Sequence, residues 1–184
     1  KSLCKQISEI KSKGIQIILV SSGAVASGRG VIKNTSDKVT KNNVAYRQML
    51  AAIGQPKLML TFDECFKENN LIVAQALLSR SDLNNRSRYL NLRTTLEKLF
   101  SVDAIPIVNE NDVVAVDELS GEFFGDNDRL SAMVANSIDA DLLILLGDTN
   151  GLYTSDPHID HDAKLIPYVE NIDKNIENLA HASH

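Results

Sequence analysis

A chain of 184 residues, 43% hydrophobic and 23% charged, has the size and composition of one globular domain with a sizeable core. Its net charge of −5, with no lysine or arginine stripe, argues against a nucleic-acid surface. No apolar stretch approaches membrane length and no signal-peptide pattern opens the chain, so a cytoplasmic protein with no membrane contact is expected.

Leu3, Ile7 and Ile10 recur at helical spacing and Gly14 follows as a stop, which predicts an amphipathic helix. Ile15 to Val20 is short, apolar and rich in β-branched residues, the pattern of a buried strand. A helix feeding a strand implies a strand before it, so the fold is expected to be incomplete at its start. Lys33 to Asn43 is polar and aperiodic, and reads as an exposed loop. Tyr46, Met49, Leu50 and Ile53 mark a helix ending near Gly54-Gln55-Pro56, and Leu58, Phe62, Cys65 and Phe66 mark a second. Leu71 to Leu78 is the next strand, and Tyr89, Leu92, Leu96 and Leu99 line one face of a further helix.

Ala104 to Val108 is the third strand, where Pro106 predicts an edge position or an irregular ladder. Leu130, Val134 and Ile138 share a helical face, and Asp141 to Leu146 is the fourth strand. Strands alternating with helices define an α/β fold, a mainly parallel sheet sandwiched between helices. Cys4 and Cys65, far apart and outside any CxxC, read as reduced core thiols.

The chemistry gathers in two polar clusters. Asn109-Glu110-Asn111-Asp112 follows the third strand, and Gly125-Asp126-Asn127-Asp128 precedes the helix of Leu130. Either alone reads as a turn or a helix cap. Together they concentrate four carboxylates and three carboxamides, which calls for solvent or a polar ligand to satisfy them. Ligands of open α/β sheets gather at the carboxyl ends of the strands. Ser21-Ser22-Gly23, Asn109 to Asp112 and Gly147-Asp148 each follow a predicted strand, so all three are expected along one edge.

The small-residue run Ser21 to Gly30 opens a strand-to-helix turn whose free N–H groups suit an anion. It is neither a P-loop nor a GxGxxG fingerprint, and a tight strand–helix joint explains it equally well. No EF-hand pattern is present, and His158 and His161, after Asp156-Pro157, read as solvated loop histidines, as do His181 and His184. No metal site is expected.

The combined strings Val20-Ser21-Ser22-Gly23-Ala24-Val25-Ala26-Ser27-Gly28-Arg29, Ile105-Pro106-Ile107-Val108-Asn109-Glu110-Asn111-Asp112 and Gly125-Asp126-Asn127-Asp128-Arg129-Leu130-Ser131-Ala132 resemble the glutamate 5-kinase family of the amino-acid kinase superfamily. Leu50 to Gln55, Arg88 to Asn91 and Gly151 to Pro157 fit the same family, in the same order. The resemblance implies transfer of the ATP γ-phosphate, with Mg2+, to the side-chain carboxylate of L-glutamate, giving γ-glutamyl phosphate for proline biosynthesis. By match to the family pattern, Ser22, Asp112 and Asn127 bind glutamate, and Asp128 is the catalytic organiser that orients lysines around the phosphoryl group. The resemblance also implies that Gly147 and Asp148 lie against the nucleotide. They stand where the family commonly has Thr-Asp, which removes a hydroxyl and leaves backbone contacts.

The family also carries a lysine-glycine turn on an earlier strand and a glycine-rich segment with Met, Thr and Lys later on. Residues 1–184 therefore correspond to the central part of one kinase domain, incomplete at both ends, and are expected to have little kinase activity alone. Proline is the implied feedback inhibitor, and a homo-oligomer is expected. The alternatives are a sibling kinase acting on aspartate or N-acetylglutamate, and a non-catalytic small-molecule-binding module.

Overall fold

The computed structural model describes residues 1–32, 44–114 and 127–181. It forms two compact units, Lys1–Leu143 and Ile144–His184. In the first, α1 (Ser2–Lys11) leads to β1 (Leu19–Val20), α2 (Ala24–Val31) and the long α3 (Val44–Lys67). Then come β2 (Val73–Leu78), α4 (Arg80–Asn84), α5 (Arg86–Ser101), β3 (Ile105–Glu110) and α6 (Asn127–Ser137). The three strands form a parallel sheet in the order β1-β3-β2.

Side-chain alternation along the strands builds two cores, one on each face. Ile105 and Ile107 of β3 point to the face where Cys4, Ile7 and Phe66 bring in α1 and α3. Val108 points to the other, where Leu92 and Leu96 of α5 meet Leu130 and Val134 of α6. The sheet is thus covered by helices on both sides, as the strand–helix alternation requires.

Four elements differ from the sequence expectation. Of the buried strand expected over Ile15 to Val20, only Leu19–Val20 is a strand, half-buried, and Ile15 is exposed. Pro106 sits in the central strand. The Ile105 N–H donates 2.8 Å to the Ile72 carbonyl on the β2 side, and the Val108 carbonyl accepts 2.9 Å from Ser21 N–H on the β1 side. Alternation then turns the nitrogen of Pro106 toward β1, one position before that ladder starts at Leu19↔Ile107. The missing donor falls where no partner strand needs it.

Pro56 likewise leaves α3 one continuous helix. An interior proline costs about 3 kcal/mol, and the buried Leu50, Ala51 and Phe66 on either side offset it. The apolar run Asp141 to Leu146 is not a strand: it pairs with no other strand among the described residues, and Leu142, Ile144 and Leu146 are 74%, 65% and 73% exposed. Apolar composition suits a strand, but a ladder needs a neighbour. The expected loop at Lys33 to Asn43 lies outside the described residues.

Cys4 and Cys65 are free and meet in the α1–α3 core. Burial, and then a hydrogen bond with Cys65, push the Cys4 thiol above its ordinary value. The expected outcome is slow alkylation of Cys4 by iodoacetamide at pH 8 in the native protein and fast alkylation after unfolding. A raised folded value also means that the unfolded state releases this proton first, so the contribution to stability is lost as pH rises beyond about 9. Equal alkylation rates in the native and unfolded protein would contradict this burial.

In the second unit, Tyr153 bridges Leu165 antiparallel, and α7 (Lys174–His181) follows. Its acidic side chains shape their own turn. Asp160 accepts from the Ser155 hydroxyl (2.6 Å) and from Asp162 N–H (2.9 Å), bonds that hold its carboxyl below the usual range. His158 and His161 are exposed.

Candidate active site

The carboxyl ends of β1 and β3 and the start of α6 enclose a cleft of about 100 Å³. The turn after β1 brings Ser22 and Gly23, with Ala24 and Val25 of α2; the end of β3 brings Asn109 and Glu110, and the turn after it Asp112; Asn127 comes from the first turn of α6, and Arg47 from α3. Gly23 takes a φ of +99°, a left-handed conformation that favours glycine, and α2 starts directly after it with no side-chain cap. The first N–H groups of α2 are therefore left to face an anion at this end of the cleft.

On the β3 side, Asn109 is 3% exposed and its orientation is fixed from two directions. Its Oδ1 accepts 2.9 Å from Glu110 N–H, and its Nδ2 donates 2.9 Å to Oε1 of the buried Gln55. Asn111 N–H donates 2.8 Å to the Leu78 carbonyl, which ties the turn carrying Asp112 to the end of β2. Beyond β2, Ser79 caps α4 in a capping box with Asp82. The Ser79 hydroxyl and N–H, and then Arg88, hold the Asp82 carboxyl below its usual range. The cleft is polar and of mixed charge: two carboxylates, one guanidinium and two carboxamides.

Of the residues selected from sequence, Ser22, Asp112 and Asn127 come together in this cleft. Asp128, the next residue, is exposed in the first turn of α6 and is not part of the cleft lining. Its carbonyl accepts 2.6 Å from the Ser131 hydroxyl. Gly125 and Asp126 fall outside the described residues. Gly147 and Asp148 belong to the second unit and are exposed. Among the described residues no three His, Cys, Asp or Glu side chains are grouped to hold a metal ion. No described helix is long and apolar enough to cross a membrane.

Sequence reasoning passed over Arg47 and Gln55. Arg47 stands in a helical run whose other residues announce only packing. The Asn109–Gln55 bond joins positions 54 apart, and nothing local marks it.

The model of the Amino acid kinase family matches residues 1–182 of this chain, and the parallel sheet between helices fits that family. The chain belongs to that family. Among its curated relatives are proteins named Glutamate 5-kinase. It is 51% identical over 181 residues to the Glutamate 5-kinase of Dehalococcoides mccartyi, covering 98% of this chain and 48% of the relative. Identity to the Glutamate 5-kinase of Trichlorobacter lovleyi is 46%, over 98% of this chain and 46% of the relative. To that of Geobacter sulfurreducens it is 44%, over 99% and 47%. The chain spans about half the length of these curated relatives. The resemblance drawn from the loop motifs thus extends along nearly the whole chain.

Proposed function

We propose that this chain forms the glutamate-binding part of a kinase that phosphorylates the side-chain carboxylate of L-glutamate with ATP, supplied as its Mg2+ complex. The observation that carries the reading is the convergence of Ser22, Asp112 and Asn127 on one cleft at the carboxyl edge of the sheet. The identity to proteins named Glutamate 5-kinase adds support.

Glutamate presents one ammonium and two carboxylates. Asp112 is an anionic partner for the ammonium, while Asn109 and Asn127 supply carboxamide donors and acceptors. The Ser22-Gly23 turn and the start of α2 supply N–H donors for a carboxylate. In the reaction a carboxylate oxygen bonds to the γ-phosphorus while the bond to the β–γ bridging oxygen breaks, leaving γ-glutamyl phosphate and ADP. No proton must be removed from the nucleophile, so the protein's task is positioning and charge stabilisation. Asp128, one residue beyond Asn127, is the residue we assign to organising lysines around the moving phosphoryl group. Gly147 and Asp148 are assigned to the nucleotide through their backbone. The test measures ADP release by a full-length protein that carries this chain, with glutamate, aspartate and N-acetylglutamate in turn. Glutamate is expected to give the highest kcat/KM, and a preference for either other substrate overturns the reading.

Proline shares an α-carboxylate and a charged amine with glutamate but lacks the reacting carboxylate, so we propose that it occupies the same cleft without reacting. Asp112→Ala is then expected to weaken proline inhibition and glutamate binding together. Unchanged proline inhibition beside a strongly raised glutamate KM would place the inhibitor elsewhere. A homo-oligomer in a cytoplasmic setting completes the proposal, and sedimentation of the full-length protein reads the former.

A further inference from the structure

We propose that Gln55 is a positioning residue for glutamate, acting through Asn109; this rests on reading the cleft as the glutamate site. Gln55 is 8% exposed in the middle of α3, and among the described residues the one hydrogen bond of its side chain is that which its Oε1 accepts from Asn109 Nδ2 at 2.9 Å. Its Nε2 is buried with no partner among the described residues. A methionine would fill much the same volume and leave no orphaned donor, so packing alone does not account for a glutamine here. What the glutamine adds is an acceptor directed at Asn109.

The direction of that bond is forced. Glu110 N–H takes the Oδ1 of Asn109, which turns Nδ2 toward α3. Rotating the Gln55 amide would set one NH2 group against another, so Oε1 must face Asn109. The base of this bond is also held firmly. A Cβ on the neighbouring Gly54 would stand 1.8 Å from the Ala24 carbonyl oxygen, so backbone already meets backbone there. Ala24 belongs to the opposite wall of the cleft. The Gly54-Gln55 pair therefore sets the spacing between the α2 wall and the Asn109 wall, and fixes which way the Asn109 amide faces a ligand.

The experiment compares Gln55→Met, which removes the acceptor, with Gln55→Glu, which keeps one. Both are made in a full-length protein that carries this chain. Gln55→Met is expected to raise the glutamate KM about tenfold, the worth of one neutral hydrogen bond, with the ATP KM unchanged. Gln55→Glu is expected to keep a near wild-type glutamate KM while lowering Tm, because it buries a charge. A double-mutant cycle with Asn109→Ala should show that Gln55→Met adds nothing once Asn109 is gone. Gln55→Asn, too short to reach Asn109, replaces the methionine variant if that one does not fold, with the same expected rise in KM.

Additive effects in the cycle overturn the proposal, as do parallel rises in both KM values or a glutamate KM that tracks Tm across the variants. A wild-type protein whose turnover ignores glutamate overturns the reading of the cleft itself, and the two failures are separated by that control.

Discussion

Asp128→Ala, in a full-length protein that carries this chain, is expected to lower kcat about 100- to 1,000-fold with little change in either KM, the scale of losing a group that stabilises transition-state charge. Asp112→Ala is expected to act the other way, raising the glutamate KM with a smaller effect on kcat. The structure separates the two positions. Asp112 lines the cleft on the β3 side and can meet a ground-state ammonium. Asp128 stands in the exposed first turn of α6, outside the cleft lining, one residue past Asn127, which lines it. A group outside the glutamate cleft has little reason to change glutamate binding, and its effect should appear when charge moves toward the acceptor. Steady-state kinetics in both substrates decide this. If both substitutions act only through KM, the organiser is another residue.

How much of this was legible beforehand differs by kind of feature. The helices at Leu3–Ile10, Tyr89–Leu99 and Leu130–Ile138 announced themselves through apolar residues every three to four positions; the structure buries Ile7, Leu92, Leu96, Leu130 and Val134, while Leu3 and Ile10 are exposed and Ile138 falls just past the end of α6. The parallel sheet followed from alternation of element types, and so did the meeting of Ser22 with Asp112: β1 and β3 point the same way, so their carboxyl ends share an edge. What stayed hidden depends on distant partners. Pro106 looks like an edge residue until the register shows β1 starting one position later. Pro56 looks like a helix end until the packing of α3 is known, because local propensity carries less energy than a buried face. The run Asp141 to Leu146 has the composition of a strand, but composition cannot supply the neighbour that a ladder needs. Gln55 and Arg47 sit in a helix read for its apolar face alone, and the cleft that gives them meaning is assembled from three other segments.

Gly54→Ala is expected to be among the most damaging single-methyl additions in the chain. The new Cβ would lie 1.8 Å from the Ala24 carbonyl oxygen and 2.3 Å from the Gly28 nitrogen, both backbone atoms of α2. No side chain there can swing aside, so the helices must separate. Gly28 makes the reciprocal contact, with its Cβ position 1.9 Å from the Leu50 carbonyl oxygen. Overpacking of this kind costs about 3 kcal/mol. In a domain of this size that corresponds to a fall in Tm of about 10 °C, read by thermal unfolding. Gly30→Ala is the control, since a Cβ there meets nothing within 4 Å and alanine favours the helix, so Tm should hold or rise slightly. Because α2 begins at the cleft, Gly54→Ala should also raise the glutamate KM in whatever fraction remains folded. A Tm equal to that of the wild type would show that α2 and α3 can move apart without cost, and that their close approach does not set the width of the cleft.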